Sequence, residues 1–222
     1  MNLSTYIFGQ FDKGYTQYPL DCNSELLQHC VKLSKQDRQL IIFRKERLMF
    51  YTFVMFLSSK HNSYIGICLS FNDLMVTHFD DFYQMFMESI ESLAIEGEIL
   101  TYDADCITYK CSALENKTTE IMGLEKYINA KMEQITLSPK SLLPIQYGLA
   151  NDSVKYCPLN IGAETICNFA SRYAFTVVSD ATNMVEELSD VEHILYPNGK
   201  RMKKEKDSLI GNIKEYIWNL LK

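Results

Sequence analysis

The run Leu48 to Leu57, LMFYTFVMFL, limits the possible folds of this chain more than any other stretch. Read as a strand, it puts Phe50, Thr52, Val54 and Phe56 on one face and Tyr51, Phe53, Met55 and Leu57 on the other, so neither face suits water. A strand of that kind belongs at the centre of a sheet covered on both sides. Leu40 to Lys45 precedes it and Tyr64 to Phe71 follows, with Lys-Glu-Arg at one reversal and Ser-Ser-Lys-His-Asn-Ser at the other. Residues 39–73 therefore predict three consecutive antiparallel strands.

The flanking segments supply covers for such a sheet. Thr5 to Phe11 and Tyr15 to Leu20 predict an opening hairpin that reverses at Gly14. Asp21 or Asn23 is placed to cap a helix carrying Leu26, Leu27, Cys30, Val31 and Leu33 on one stripe. Beyond the three strands, Asp80 or Asp81 is the expected cap of a second helix with Phe82, Phe86, Ile90, Leu93 and Ala94 on one face, closed by Gly97. Glu98 to Tyr102 and Cys106 to Cys111 read as a short hairpin reversing at residues 103–105. A third helix, capped by Thr118 or Thr119, carries Ile121, Leu124, Ile128, Met132 and Ile135.

Thr136 to Pro144, TLSPKSLLP, holds two of the five prolines and marks an internal boundary. After it the pattern restarts with short strands at 145–149 and 154–157, a helix from Ala163 to Arg172 and a strand from Tyr173 to Val178. A helix capped by Thr182 or Asn183 then runs to Pro197. The organisation expected is a domain over 1–136, a smaller α/β extension over 137–199, and a C-terminal helix over 200–222. That last stretch is basic at first and then amphipathic.

The fold class expected is α+β, with one central antiparallel sheet of about five strands covered by helices. The order hairpin, helix, three strands, helix, hairpin, helix over Thr5 to Ile135 resembles the longin, roadblock and profilin-like small α/β modules. That resemblance implies a scaffold for binding proteins or small ligands more often than for catalysis. The tract FRKERLMFYTF with YIGICLSFND also looks like the leading region of uncharacterised bacterial proteins that continue into a coiled coil or membrane anchor.

Composition restricts the functional classes. A formal charge of −6 and a pI near 5.3 do not favour whole-molecule attraction to nucleic acid or an anionic membrane. Seven cysteines, odd in number and scattered through apolar runs, fit a reducing compartment, and a cytoplasmic location is expected. The first residues show no signal-peptide pattern, and no apolar run reaches the roughly 18 residues of a membrane span.

Catalytic motifs are missing from the sequence: it has no phosphate loop, dinucleotide-binding fingerprint, nucleophile elbow or H-E-x-x-H pair. His29 beside Cys30, and His61 and His78 with Cys68, are the conceivable thiol–imidazole pairs. Adjacent helix residues face apart, and these cysteines read instead as small buried hydrophobes. Cys106 and Cys111 lack a second ligand pair for zinc. Asp103 with Asp105 reads as turn chemistry, and Asp80 with Asp81 as partners of a helix dipole. No metal or cofactor is expected.

Two candidate sites remain. Tyr51, Phe53, Tyr64 and Phe71 are candidates to wall a ligand pocket beside the meander. In the tail, Lys200 to Lys206 carries five cations and one Glu, and Leu209, Ile213, Ile217, Trp218, Leu220 and Leu221 form a candidate partner-docking face. The leading expectation is a non-enzymatic cytoplasmic interaction or sensor module acting through a protein partner or self-association. A small-ligand sensor and an enzyme assembled from distant Cys, His and Asp residues are the alternatives, and peripheral membrane contact of the tail stays open.

Overall fold

The computed structural model describes residues 3–45, 47–58, 62–72, 74–104, 108–111, 113–144, 151–180 and 192–193. The predicted meander is its centre. Strands β3 (Arg38–Lys45), β4 (Leu48–Phe56) and β5 (Tyr64–Asn72) pair antiparallel in sequence order. The opening hairpin, β1 (Ser4–Phe11) and β2 (Gly14–Tyr18), joins at the β5 side. Its two-residue reversal feeds into Gly14 at φ 106°, a backbone state that a Cβ disfavours.

The sheet is wider than the sequence suggested. Between the meander and the C-terminal part stand α2 (Phe79–Glu88), a π-helical continuation over Ser89–Ile95, and α3 (Thr118–Thr136). There are also two small ribbons: β6 (Leu74–Val76) with β9 (Leu142–Pro144), and β7 (Thr101–Asp103) with β8 (Thr108–Lys110). Next come β10 (Asn151–Pro158), α4 (Ala163–Arg172) and β11 (Tyr173–Ser179), and β11 pairs antiparallel with β3. A short β12 (Glu192–His193) lies beside β10. The result is one eight-stranded sheet in the order β12-β10-β11-β3-β4-β5-β1-β2, not about five strands. It is not wholly antiparallel, because the crossover through α4 makes β10 and β11 parallel.

Each face carries its own apolar layer. Helix α1 (Ser24–Leu33) covers one with Leu27, Cys30 and Leu33, against Phe8, Ile41, Phe43, Val54, Phe175 and Val177. Its cap is Asn23, whose Oδ1 accepts from the Glu25 and Leu26 amides at 2.9 and 3.3 Å. On the opposite face α2, α3 and α4 cover Leu40, Ile42, Tyr51, Phe53, Ile65 and Phe71. All five predicted apolar residues of α3 are buried.

Two helix starts differ from expectation. His78, not Asp80 or Asp81, takes the cap position of α2 and makes no side-chain cap bond, while the two aspartates stand in the first turn. There they complement the helix dipole without accepting a capping hydrogen bond. Likewise Lys117 precedes α3, and Thr118 is already helical.

Where α2 meets α3, the Tyr127 hydroxyl and the Lys131 ammonium, the latter at 3.2 Å, both reach Glu88 Oε2, and Gln84 Nε2 donates to Oε1 at 3.4 Å. The hydrogen bond from Tyr127, followed by those from Lys131 and Gln84, holds the Glu88 carboxyl below the usual range. A lowered folded pKa supplies stability above the unfolded value that disappears as pH falls through the folded one. Glu88→Gln should therefore unfold at a lower temperature than wild type at pH 7, and the gap should close on acidification. A gap that stays constant from pH 7 to pH 3 would show that the carboxylate charge contributes nothing.

Candidate functional site

The candidate site is built where the βαβ unit β10–α4–β11 meets the start of α2. Val76 fixes one wall. Its amide donates to the Tyr51 hydroxyl at 3.0 Å and its carbonyl accepts from the Cys167 thiol at 3.7 Å. Side chains thus satisfy the inner edge of the β6–β9 ribbon where a third strand would otherwise be needed. Thr77 extends the attachment: its amide donates to the Ser141 carbonyl at 2.8 Å and its hydroxyl to the Lys140 carbonyl at 2.7 Å.

Between this ribbon and α4 lies an open cleft of about 460 Å³, lined by Met75, Leu143, Pro144, Cys167, Asn168 and Arg172 among others. Leu143 is 40% exposed, an apolar side chain turned to solvent at the rim. Further toward the start of α4 the lining becomes acidic. A second cavity, about 310 Å³, is bordered by His78, Asp80, Asp81, Asn160 and Ala163. It shares Asp80, Asp81 and Leu159 with a third of about 420 Å³ that ends at Arg38 and Asp180. Along α4 the surface therefore runs from the exposed carboxylates Asp80 and Asp81 to a mixed cleft, in which Leu143 and Pro144 face Glu164, Asn168 and Arg172.

The far end of this trough is pinned to the sheet. Arg38 Nε lies 3.0 Å from Asp180 Oδ2, and the Tyr83 hydroxyl donates to the Arg38 carbonyl at 3.2 Å. Burial, with the Asp180 charge adding to it, pushes the Tyr83 phenol well up, so it stays a neutral donor. On the other face the preceding residue, Ser179, hydrogen-bonds Gln36. Adjacent strand residues point oppositely, and here both are held.

The four aromatics proposed as a pocket wall do not share one. Tyr51, Phe53 and Phe71 are fully buried beneath α2, with Tyr51 stacked on Phe71 at 5.2 Å and edge-on to Phe82 at 5.0 Å, and Phe53 stacked on Phe86 at 5.4 Å. Tyr64 lies on the opposite, α1 face, with Phe8 and Phe56. The correction is one of parity: Tyr64 and Phe71 are an odd number of positions apart on one strand. The second candidate set, Leu209, Ile213, Ile217, Trp218, Leu220 and Leu221, lies outside the described residues.

The thiols are poor nucleophiles in these surroundings. Burial pushes Cys30 up to about 12 and Cys167 up to about 11. The His29 ring packs on Phe175 at 5.1 Å, its Nε2 has no hydrogen-bond partner, and burial holds its pKa down. His78 Nδ1 is 3.4 Å from the Thr77 hydroxyl. Among the described residues no group of three or more His, Cys, Asp or Glu side chains is disposed to hold a metal ion, and no helix is long and apolar enough to cross a membrane. The trough itself left no motif in the sequence. Its only local sign was a pair of aspartates opening a helix, and the other wall comes from more than 60 positions away, as the Thr77–Lys140 bond measures.

Fold and surface together define a mixed α/β protein with, among the described residues, four α-helices on one large sheet and an open, part-acidic, part-apolar trough between α2, α4 and the β6–β9 ribbon. In comparisons with known proteins, the chain matches no family model, no curated protein and no solved structure.

Proposed function

We propose that this chain is a non-enzymatic cytoplasmic interaction module of bacterial type, and that its binding surface is the trough between α4 and the β6–β9 ribbon. The observation that carries the reading is the exposed Leu143 over a cleft of about 460 Å³, adjoining three exposed carboxylates. An apolar anchor point bordered by charge is how a protein surface recognises a peptide segment, the apolar part giving affinity and the charges register. The ligand it suits is a protein segment with basic residues beside bulky apolar ones. Strands β1 to β5 form one antiparallel array with helices on both faces, which supports the longin and profilin-like resemblance and its use as a binding scaffold.

The test is selection of displayed peptides on the folded full-length chain, followed by titration against Leu143→Asp. The selected peptides should pair Lys or Arg with Leu, Ile or Trp and bind the variant at least about tenfold more weakly, as loss of a central contact worth about 1.4 kcal/mol or more implies. Peptides that bind both proteins equally, or no enrichment at all, would overturn the assignment.

A further inference from the structure

We infer that the cleft between α4 and the β6–β9 ribbon takes its protein segment as an extended strand with opposite charges four residues apart, a Lys or Arg on Glu164 and an Asp or Glu on Arg172. The inference rests on the cleft being the binding surface, and it adds the conformation and charge pattern of the ligand. The wall that α4 presents is polar at regular intervals. Glu164, Asn168 and Arg172 all line the cleft, and all three are exposed. They stand four positions apart, the spacing of neighbours on one helix face, so about 6 Å of rise separates each from the next and about 12 Å the two charges. Glu164 lies in the first turn and Arg172 in the last, where each also suits the helix dipole. Among the described residues neither is in an ion pair, which leaves both charges for a ligand.

The opposite wall is apolar. Met75 and Leu143 are partners across the β6–β9 ladder, so their side chains share one side of the ribbon, and both line the cleft. An extended chain satisfies both walls at once. Its side chains alternate in direction, and every second one recurs after about 6.8 Å, close to the step between the polar residues of α4. Residues i, i+2 and i+4 of such a segment meet Glu164, Asn168 and Arg172 in turn, while i+1 and i+3 turn to Met75 and Leu143. The pattern that fits, in either chain direction, is a basic residue, an apolar one, a polar one, a second apolar one and an acidic one. A helical ligand would need a different pattern, because charges about 12 Å apart on a helix are about eight residues apart.

The charge spacing is read by selecting random displayed peptides, long enough to carry charges at the helical spacing, on the full chain. Opposite charges should be enriched at a separation of four positions, with separations of three, five and eight at background. Capped synthetic peptides with the core Lys-Val-Thr-Ile-Glu then measure the two contacts. Glu164→Lys should weaken this peptide at least about tenfold and bind instead the peptide whose Lys is changed to Glu. Arg172→Glu should in the same way prefer the peptide whose Glu is changed to Lys, since a like charge repels where an opposite one attracts.

Enrichment at eight positions, the helical spacing, overturns the inference, and so does the absence of any preferred separation. Loss of binding in both variants without rescue by the switched peptides overturns it too, while rescue shows in the same step that each variant is folded. Peptides that depend on Leu143 but fail these tests leave the binding function standing and remove only the extended, charge-paired ligand. A selection that enriches nothing removes both.

Discussion

Replacing Tyr51 by alanine is expected to lower stability by about 3–5 kcal/mol, the range for emptying a large aromatic site in a packed core. Tyr51 is fully buried, stacked on Phe71 and edge-on to Phe82, so its removal leaves a cavity lined by rings that cannot close on it. Tyr51→Phe separates the two parts of its role. It keeps the ring and removes the only acceptor described for the Val76 amide, at an expected cost of about 1–3 kcal/mol for a buried donor left unpaired. Urea titration measures both, and hydrogen exchange localises the second: Val76 and its ladder partner Leu142 should lose protection while β4 keeps its own. A Tyr51→Phe variant within about 0.5 kcal/mol of wild type would mean that the ribbon, and with it one wall of the trough, is held by other contacts.

Gly66→Val should be nearly as damaging, by overpacking. Gly66 stands opposite Phe8 in the β1–β5 ladder, and the Phe8 ring covers it so closely that a Cβ would come 2.2 Å from Cζ and 2.5 Å from Cε1. Phe8 is fully buried and has no free direction in which to retreat. The expected loss is about 3 kcal/mol, the upper end for side chains forced into a filled core. Phe8→Ala in the same chain should recover part of it, so the double variant loses less than the two single losses added. Strict additivity would place the clash elsewhere.

The parts of the fold that could be read from sequence are those whose signal is local. Leu40 to Phe71 shows its strands because runs of largely apolar residues, rich in β-branched and aromatic side chains, stand between short polar reversals. Ile121 to Ile135 shows α3 because its apolar residues recur every three or four positions. Periodicity cannot tell an α-helical turn from a π-helical one, so the change at Ser89 stays hidden in a stripe that continues through Ile90 and Ala94. Asp80 and Asp81 have the chemistry of caps, but the chain turns into the helix at His78, and the aspartates fall on its second and third residues.

The union of β11 with β3 is also invisible locally, since nothing near Tyr173 states which edge it will meet. There was a partial clue in Leu40, Ile41, Ile42 and Phe43, which are apolar on both faces, as strands with neighbours on either side tend to be. The trough could not be read for the same reason. Its walls come from α2, the β6–β9 ribbon and α4, and each contributes a few residues that look ordinary in their own context.

The pairing of β11 with β3 also sets an order of events during synthesis. Ser179 and Gln36, which meet in the finished fold, are 143 positions apart. At about 5–20 residues per second, a ribosome needs roughly 7–30 s to make the second after the first. Through that interval the hairpin, α1 and the meander can assemble, because their contacts are local and inexpensive to close. The outer edge of β3 meanwhile presents the backbone of Leu40 to Phe43 with no strand beside it, the kind of edge that recruits a second nascent chain. Crowded polysomes are thus the setting in which this protein is most exposed to misassembly, and the arrival of β11 is the step that ends the risk.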